Sequence, residues 1–494
     1  VAMDLTLTRA DYLQVAPISH RKTLALLPFA KRRRQRLVVG DDTGTLSSFS
    51  LKKGDSTLEF QTRVDEREVA RVELGGLPGS KDKIFAASGT RVSGVTRKGK
   101  SFFTFDTPLT EAITSMFVES TKIWTAGEYI FNLFDDGKDA AFYMAPDVIR
   151  DLTVERVQSA GALSAVLACQ DRMLRLVVDS SPSHEIPVPG PAACLALRDD
   201  IKPVRPDRGI VYGTTNGIIG MVEVEEGSVR RGWEVGNPKS KGPITCVALH
   251  DMTMDDVRDV LVGRDDGTVQ VFGFDVSAVP QLQFEEEVAE SVRSLEGGVV
   301  NTPGCNEVVV ATYSGRVLSF TSEELHGRDE EDARGRTKAE VHNQSRIVRL
   351  RREIEELRER RDRERKRLSE MVEEEPVQHV FKVNVQFEML PDEAAYRVSL
   401  EAPMPIRFVV LRSVVPATLL DVERSGAVLG VTTPPPEDAS KLLATFRCPE
   451  VTNRVEFKIR TLEGQYGDLQ ALVVADVQPY TAQMVTVPVR PLSL

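Results

Sequence analysis

Hydrophobic positions recur in one repeated unit along the first 322 residues of the chain. The clearest copy is DVLVGRDDGTVQVFGFD, from Asp259 to Asp275. Val260, Leu261 and Val262 predict a strand that closes at Gly263. Asp265-Asp266-Gly267 then supplies a tight hairpin turn, because glycine accepts a positive φ without a Cβ clash. On the returning strand Val269, Val271 and Gly273 point one way, while Gln270 and Phe272 point the other. The same unit appears as Leu37-Val38-Val39-Gly40 followed by Gly44, as Ile210-Val211-Tyr212-Gly213 followed by Gly217, and as Val308-Val309-Val310-Ala311 followed by Gly315. Weaker copies begin at Lys83 (KIFAASGTRVSGV), Lys122 (KIWTAGEYIFNLF) and Ala165 (AVLACQDRMLRLV).

Seven hairpins therefore start near 37, 83, 122, 165, 208, 259 and 307, spaced 39 to 51 residues apart. A strand-rich period of roughly 40–50 residues predicts propeller blades. One β-sandwich would not need seven similar hairpins. The short apolar pattern DLTLTRADYLQV at 4–15 lies ahead of the first full copy. It predicts a strand that completes the last blade, since closing the ring removes an exposed edge. These patterns give a seven-bladed β-propeller over 1–322.

The pattern then changes twice. Residues 323–345 lose their apolar periodicity and read as a linker. Residues 346–375 predict a coiled-coil helix, with neither Gly nor Pro before Pro376. Ile347, Leu350, Ile354, Leu357, Leu368 and Met371 fall at heptad a and d positions. Arg361 and Glu364 interrupt the seam at the third a and d. Residues 376–494 switch to a period of two. Phe381, Val383, Val385 and Phe387 alternate with polar neighbours, as do Tyr396, Val398 and Leu400, and Val455, Phe457 and Ile459. The triple proline at 434–436 requires a loop. Short alternating strands over this length predict an immunoglobulin-like β-sandwich, so the fold class is mainly β.

Bulk composition adds little. The 494 residues carry a formal charge of −11, which gives no global basic field for nucleic acid. No run of about 18 apolar residues predicts a membrane helix. The N-terminal residues lack the basic-then-apolar layout of a secretory signal. The five cysteines are dispersed, with no paired-Cys motif, and fit a reducing cytoplasmic compartment. KRRRQR at 31–36 reads as a solvated approach to the first strand, with a targeting patch as the competing reading.

Candidate chemistry mostly fails its context. Gly94–Ser101 (GVTRKGKS) matches the letters of a phosphate-binding loop, but aromatic, strand-like residues follow it instead of a helix. It reads as a hairpin turn in the second blade. Asp251, Thr253, Asp255 and Asp259 have the spacing of a calcium loop, with Thr253 and Asp256 standing where a carboxylate and a glycine are usual. A polar loop between blades is the better reading. Acidic pairs such as Asp265-Asp266 read as solvated turn residues. The Arg-rich helix interleaves acids and bases with its apolar seam, unlike a DNA-gripping basic region. No catalytic, cofactor or metal residues emerge.

The segments MDLTLTRADYLQV (3–15), ARVELGG (70–76), VLACQDRMLRL (166–176), DVLVGRDDGTVQVF (259–272) and VVVATYSGRV (308–317) resemble the propeller subunits of the BBSome, the ciliary cargo-adaptor complex. The order of propeller, heptad helix and ear-like sandwich resembles them too. The last part is similar to the γ-adaptin ear, called GAE in this family. The resemblance implies a non-enzymatic scaffold without a cofactor, acting in the cytoplasm, cilium and basal body. It implies a coiled-coil heterodimer with the Bardet–Biedl syndrome 2 protein through the eight heptad positions above. It also implies contact with other BBSome subunits, and with membrane-protein cargo and an Arf-like GTPase through the assembled complex. A platform domain and a helical region are expected beyond Leu494. The competing expectation is a vesicle-coat-like or calcium-binding propeller acting outside cilia.

Overall fold

The computed structural model describes residues 5–322 apart from 30–32, 53, 77–80, 157–162, 200–207, 226–227 and 275–278. It also describes Arg363, and residues 380–489 apart from 391–392, 421–426, 433–440, 449–450 and 463. The linker at 323–345, the triple proline and all eight heptad positions lie outside the described residues. The rest fall into two compact units.

The first unit holds seven four-stranded antiparallel sheets. Their inner strands are Leu24–Leu26, Arg71–Gly75, Ser115–Glu119, Ile149–Arg156, Ala192–Asp199, Ile244–His250 and Val292–Gly298. Each touches the inner strand of the next sheet, and the last touches the first, so the sheets are blades 1 to 7 of a closed propeller. The seven hairpins read from sequence are the second and third strands of these blades. Thr8–Gln14 pairs antiparallel with Arg316–Thr321 and completes blade 7.

The repeated unit is explained by how blades stack. In blade 6 the strand does not stop at Gly263 but runs from Asp259 to Arg264. Gly263 is needed because a Cβ there would meet Val292 Cγ1 on blade 7 at 2.5 Å. Gly40 faces Val69 and Gly213 faces Ile244 in the same way. The first glycine of the unit is thus the place where the next blade leans in. Gly267, at φ +88°, is a clasp. Its carbonyl accepts the Val288 N–H at 2.8 Å, from the segment leaving blade 6 for blade 7. Gly44 accepts from Val64, and Gly315 accepts from Val15. A polar residue one or two positions before the glycine holds the arriving segment. Asp266 accepts the Gly242 N–H at 2.6 Å, Asp42 accepts the Ser19 N–H at 2.9 Å, and the Asn216 amide donates to Pro189 O at 3.4 Å.

Alternation within a strand sorts side chains between neighbouring blades. Leu261, Val269 and Val271 join a cluster with Leu295, Val308 and Val310 of blade 7. Val260, Val262 and Phe272 join one with Val211 and Trp233 of blade 5. Both faces are covered, so Thr268–Gly273 is buried throughout.

Three sequence expectations are corrected here. Asp265 is not solvated: it is 1% exposed and accepts from the Ser291 hydroxyl at 2.9 Å. Its turn sits under the blade 6 to blade 7 connection rather than at an outer edge. Arg34 of the basic run is half-buried, and its guanidinium donates to Leu51 O and Asn301 O, tying blade 7 to blade 1. In the second unit, the first strand begins at Asn384, so Phe381 is buried ahead of the ladder instead of within it.

That second unit pairs a four-stranded sheet with a five-stranded one. The first has the order Asn384–Leu390, Ala395–Glu401, Arg454–Thr461, Ala417–Leu420. The second has the order Val428–Thr432, Leu442–Arg447, Ile406–Ser413, Gly467–Ala475, Ala482–Val489. Phe446 and Phe457, one from each sheet, stack at 5.0 Å, which makes this a sandwich. Tyr396, Val398, Leu400, Val455, Phe457 and Ile459 are all buried, as their alternation predicts.

Candidate functional site

Inner strands of propeller blades line the central channel, and here they carry charge. Asp151, at the start of the blade 4 inner strand, is 2% exposed. Its Oδ2 accepts from Lys22 Nζ at 2.6 Å and from the Leu195 N–H at 2.7 Å. Its Oδ1 accepts from Arg71 at 3.1 Å, from the Ser115 hydroxyl at 2.9 Å and from the Leu152 N–H at 2.9 Å. One carboxylate therefore ties together blades 1, 2, 3, 4 and 5. Burial alone would favour the neutral acid, but Lys22 and Arg71 outweigh it and hold Asp151 well below the usual carboxylate range. Lys22 is held equally firmly. Its backbone has φ +52°, its N–H donates to Arg293 O of blade 7, and its carbonyl accepts from Val72 of blade 2. A non-glycine residue in that region costs about 1–2 kcal/mol, which the five-blade tie offsets.

Two cavities in the channel share Lys22 and Arg71 in their lining. The first, about 650 Å³, lies where the inner strands begin and is lined by Arg21, Lys22, Arg71, Arg150 and Arg293. The second, about 780 Å³, lies where they end and holds Glu73, Glu119, Glu155 and Glu296. Burial, reinforced by Glu73, pushes the Glu296 carboxyl up to about 7. Burial also raises Glu73.

The other sequence candidates have ordinary structural roles. Arg91–Thr96 and Ser101–Asp106 flank the phosphate-loop lookalike, which is a strand–turn–strand hairpin. Thr96 N–H donates to Lys100 O, and Gly99 N–H to Thr96 O. The turn therefore offers no helix N-terminus to a phosphate. In the Asp251–Asp259 loop the carboxylates accept the loop's own amides. Asp251 takes Asp255 and Asp256, and Asp259 takes Met252 and Thr253. Among the described residues no group of three or more His, Cys, Asp or Glu side chains is placed to hold a metal ion. Burial pushes the Cys169 and Cys246 thiols up to about 11 and Cys194 to about 12, so they are core atoms, not nucleophiles.

The family model for the BBS7 beta-propeller matches residues 24–322. The chain belongs to the BBS7 family. The model for the BBS7 GAE domain matches residues 379–487. A curated mouse protein, BBSome complex member BBS7, is 38% identical over 501 aligned residues, covering 100% of this chain and 69% of the relative. A Caenorhabditis elegans protein, BBSome complex member bbs-7, is 27% identical, covering 98% of this chain and 68% of the relative. Among solved structures, BBS1N in complex with ARL6DN aligns with a TM-score of 0.49 at 13% identity, over 66% of this chain and 99% of that one.

Within this BBS7-family chain, Ile347, Leu350, Ile354, Leu357, Arg361, Glu364, Leu368 and Met371 fall between the two matched segments. The residues that sequence reasoning missed are Lys22, Arg71, Asp151 and Arg293. Arg71 in ARVELGG and Asp151 in VIRDLTVE are charges beside apolar inner-strand positions, but nothing local says that they meet each other or Lys22.

Proposed function

We propose that the chain is a non-enzymatic scaffold subunit of a BBSome-type complex, moving membrane proteins to and from cilia. The observation that carries this reading is the 38% identity, over the whole chain, to a mouse protein named as a BBSome complex member. The geometry supports it. A closed ring and a sandwich are rigid surfaces, and the buried Asp151 carboxylate of the channel is engaged by Lys22 and Arg71. The chain would work in the cytoplasm, at the basal body and at the ciliary membrane, meeting cargo and an Arf-like GTPase through the assembled complex.

Pairing with the related Bardet–Biedl syndrome 2 protein is assigned to the heptad segment 346–375. With Ile347 at a, the g positions are Arg346, Glu353 and Arg360, and the following e positions are Arg351, Arg358 and Arg365. A parallel homodimer would set Arg346 against Arg351 and Arg360 against Arg365, and Arg361 against its own copy. Like charges at these positions select against self-pairing and favour a partner carrying acids there. Affinity purification of the tagged chain from ciliated cells tests the reading. Recovery with other BBSome subunits at near-equal amounts is expected. Recovery alone, or with vesicle-coat proteins unrelated to cilia, contradicts it.

A further inference from the structure

The cavity at the leading ends of the inner strands has more positive charge than its own acids neutralise. Five cationic side chains line it, against the carboxylates of Glu111, Glu128 and Asp151. Asp151 is occupied by Lys22 and Arg71, and Glu111 accepts the Tyr129 and Ile130 amides. Glu128 sits exposed at the rim. That leaves Arg21, Arg150 and Arg293, which come from blades 1, 4 and 7. Arg293 is 4% exposed and its Nε has no hydrogen-bond partner among the described residues. Its guanidinium lies 5.1 Å from the Tyr313 ring and 3.9 Å from Asp265. Among the described residues Arg21 donates to a backbone carbonyl, Ala193 O at 3.3 Å, and Arg150 to the Gln170 side chain. Burial works against the charge on Arg21, as do Arg293 and Arg150, while Asp265 favours it. Like-charged guanidiniums set close together in a recess cost energy unless an anion joins them.

We propose that this cavity binds a compact molecule carrying several phosphate groups, held by Arg21, Arg150 and Arg293. Guanidinium forks match phosphate oxygens in geometry as well as charge. They converge from three blades, so the ligand must offer anionic oxygens in several directions, which a single planar carboxylate does not. The volume of about 650 Å³ suits a small molecule. Lys22, Asp151 and Arg71 also line the cavity, engaged with one another. The chain's net charge of −11 disfavours casual binding of polyanions elsewhere on its surface.

Titration calorimetry of the full chain with inositol hexakisphosphate tests this, alongside flotation with neutral vesicles and with vesicles containing a phosphatidylinositol bisphosphate. Saturable binding is expected, weakening as salt rises. Arg21→Ala and Arg150→Ala should each weaken it by about tenfold or more, while Lys98→Ala, which removes the same charge from the blade 2 turn, should leave it unchanged. Arg150 is exposed, so its variant reports on binding even if Arg21→Ala folds poorly. Binding confined to the phosphoinositide vesicles, with the same variant dependence, keeps the site and assigns the phosphates to a lipid headgroup. Absence of binding to either probe overturns the proposal, as does binding that Lys98→Ala weakens as much as Arg150→Ala.

Discussion

Gly267 shows how little room a blade joint leaves. Backbone conformation alone would let Asn replace it better than Val, since Asn tolerates positive φ. The structure removes that distinction, because any Cβ at Gly267 would collide with Val288 O and Glu290 O on the segment crossing to blade 7. Gly267→Asn and Gly267→Val should therefore both lower the melting temperature substantially and by similar amounts. Thermal unfolding in which the Asn variant matches the parent chain would contradict the clasp. Glu296 gives a second test at the same scale. Its folded pKa of about 7 lies above its ordinary value of 4.5 because burial and Glu73 oppose its charge, with Lys22, Lys81 and Arg71 opposing them. The folded state holds that proton more tightly, so the contribution is full below about pH 4.5 and is lost as pH rises through about 7. Glu296→Gln should flatten the fall in urea midpoint between pH 5 and pH 8. An unchanged fall would place the titrating group elsewhere. Asp151 has the opposite sign: its stabilisation is present above the ordinary carboxylate range and lost only in acid.

At the scale of elements, the hairpin was the legible part. Its strand–turn–strand layout and the turn glycine could be read because they repeat in several blades, whereas the contact of the first glycine with the next blade and the grip of Asp266 on Gly242 were not read. The lookalike phosphate loop was legible for the same reason, since aromatic strand residues follow it. Lys100→Ala should change stability by no more than about 0.5 kcal/mol in chemical denaturation, and a larger loss would show that the turn does more than connect strands. What could not be read was long-range. Asp265 looked like a solvated turn residue because nothing in its own repeat reveals that Ser291 and Arg293 lie over it. Arg34 looked solvated because its carbonyl partners lie far along the chain, Leu51 in a strand of blade 1 and Asn301 in a connection of blade 7. The channel pin was hidden for the same reason: Lys22, Arg71, Ser115 and Asp151 are separated by tens of residues and meet only once the ring closes.

For the whole molecule, the ring closes by returning Thr8–Gln14 to the strand Arg316–Thr321, and the pin then braces five blades from inside. Such a body is suited to presenting fixed surfaces. We propose that the chain joins its complex by pairing the heptad segment 346–375 with a different chain. Sedimentation equilibrium of the chain co-expressed with the Bardet–Biedl syndrome 2 protein tests it most directly. A one-to-one heterodimer that weakens as salt rises is expected. Leu350→Asp with Leu357→Asp should abolish pairing while the melting temperature of the propeller stays the same. A stable homodimer of the chain alone at low salt, or a heterodimer that survives the double substitution unchanged, would contradict it.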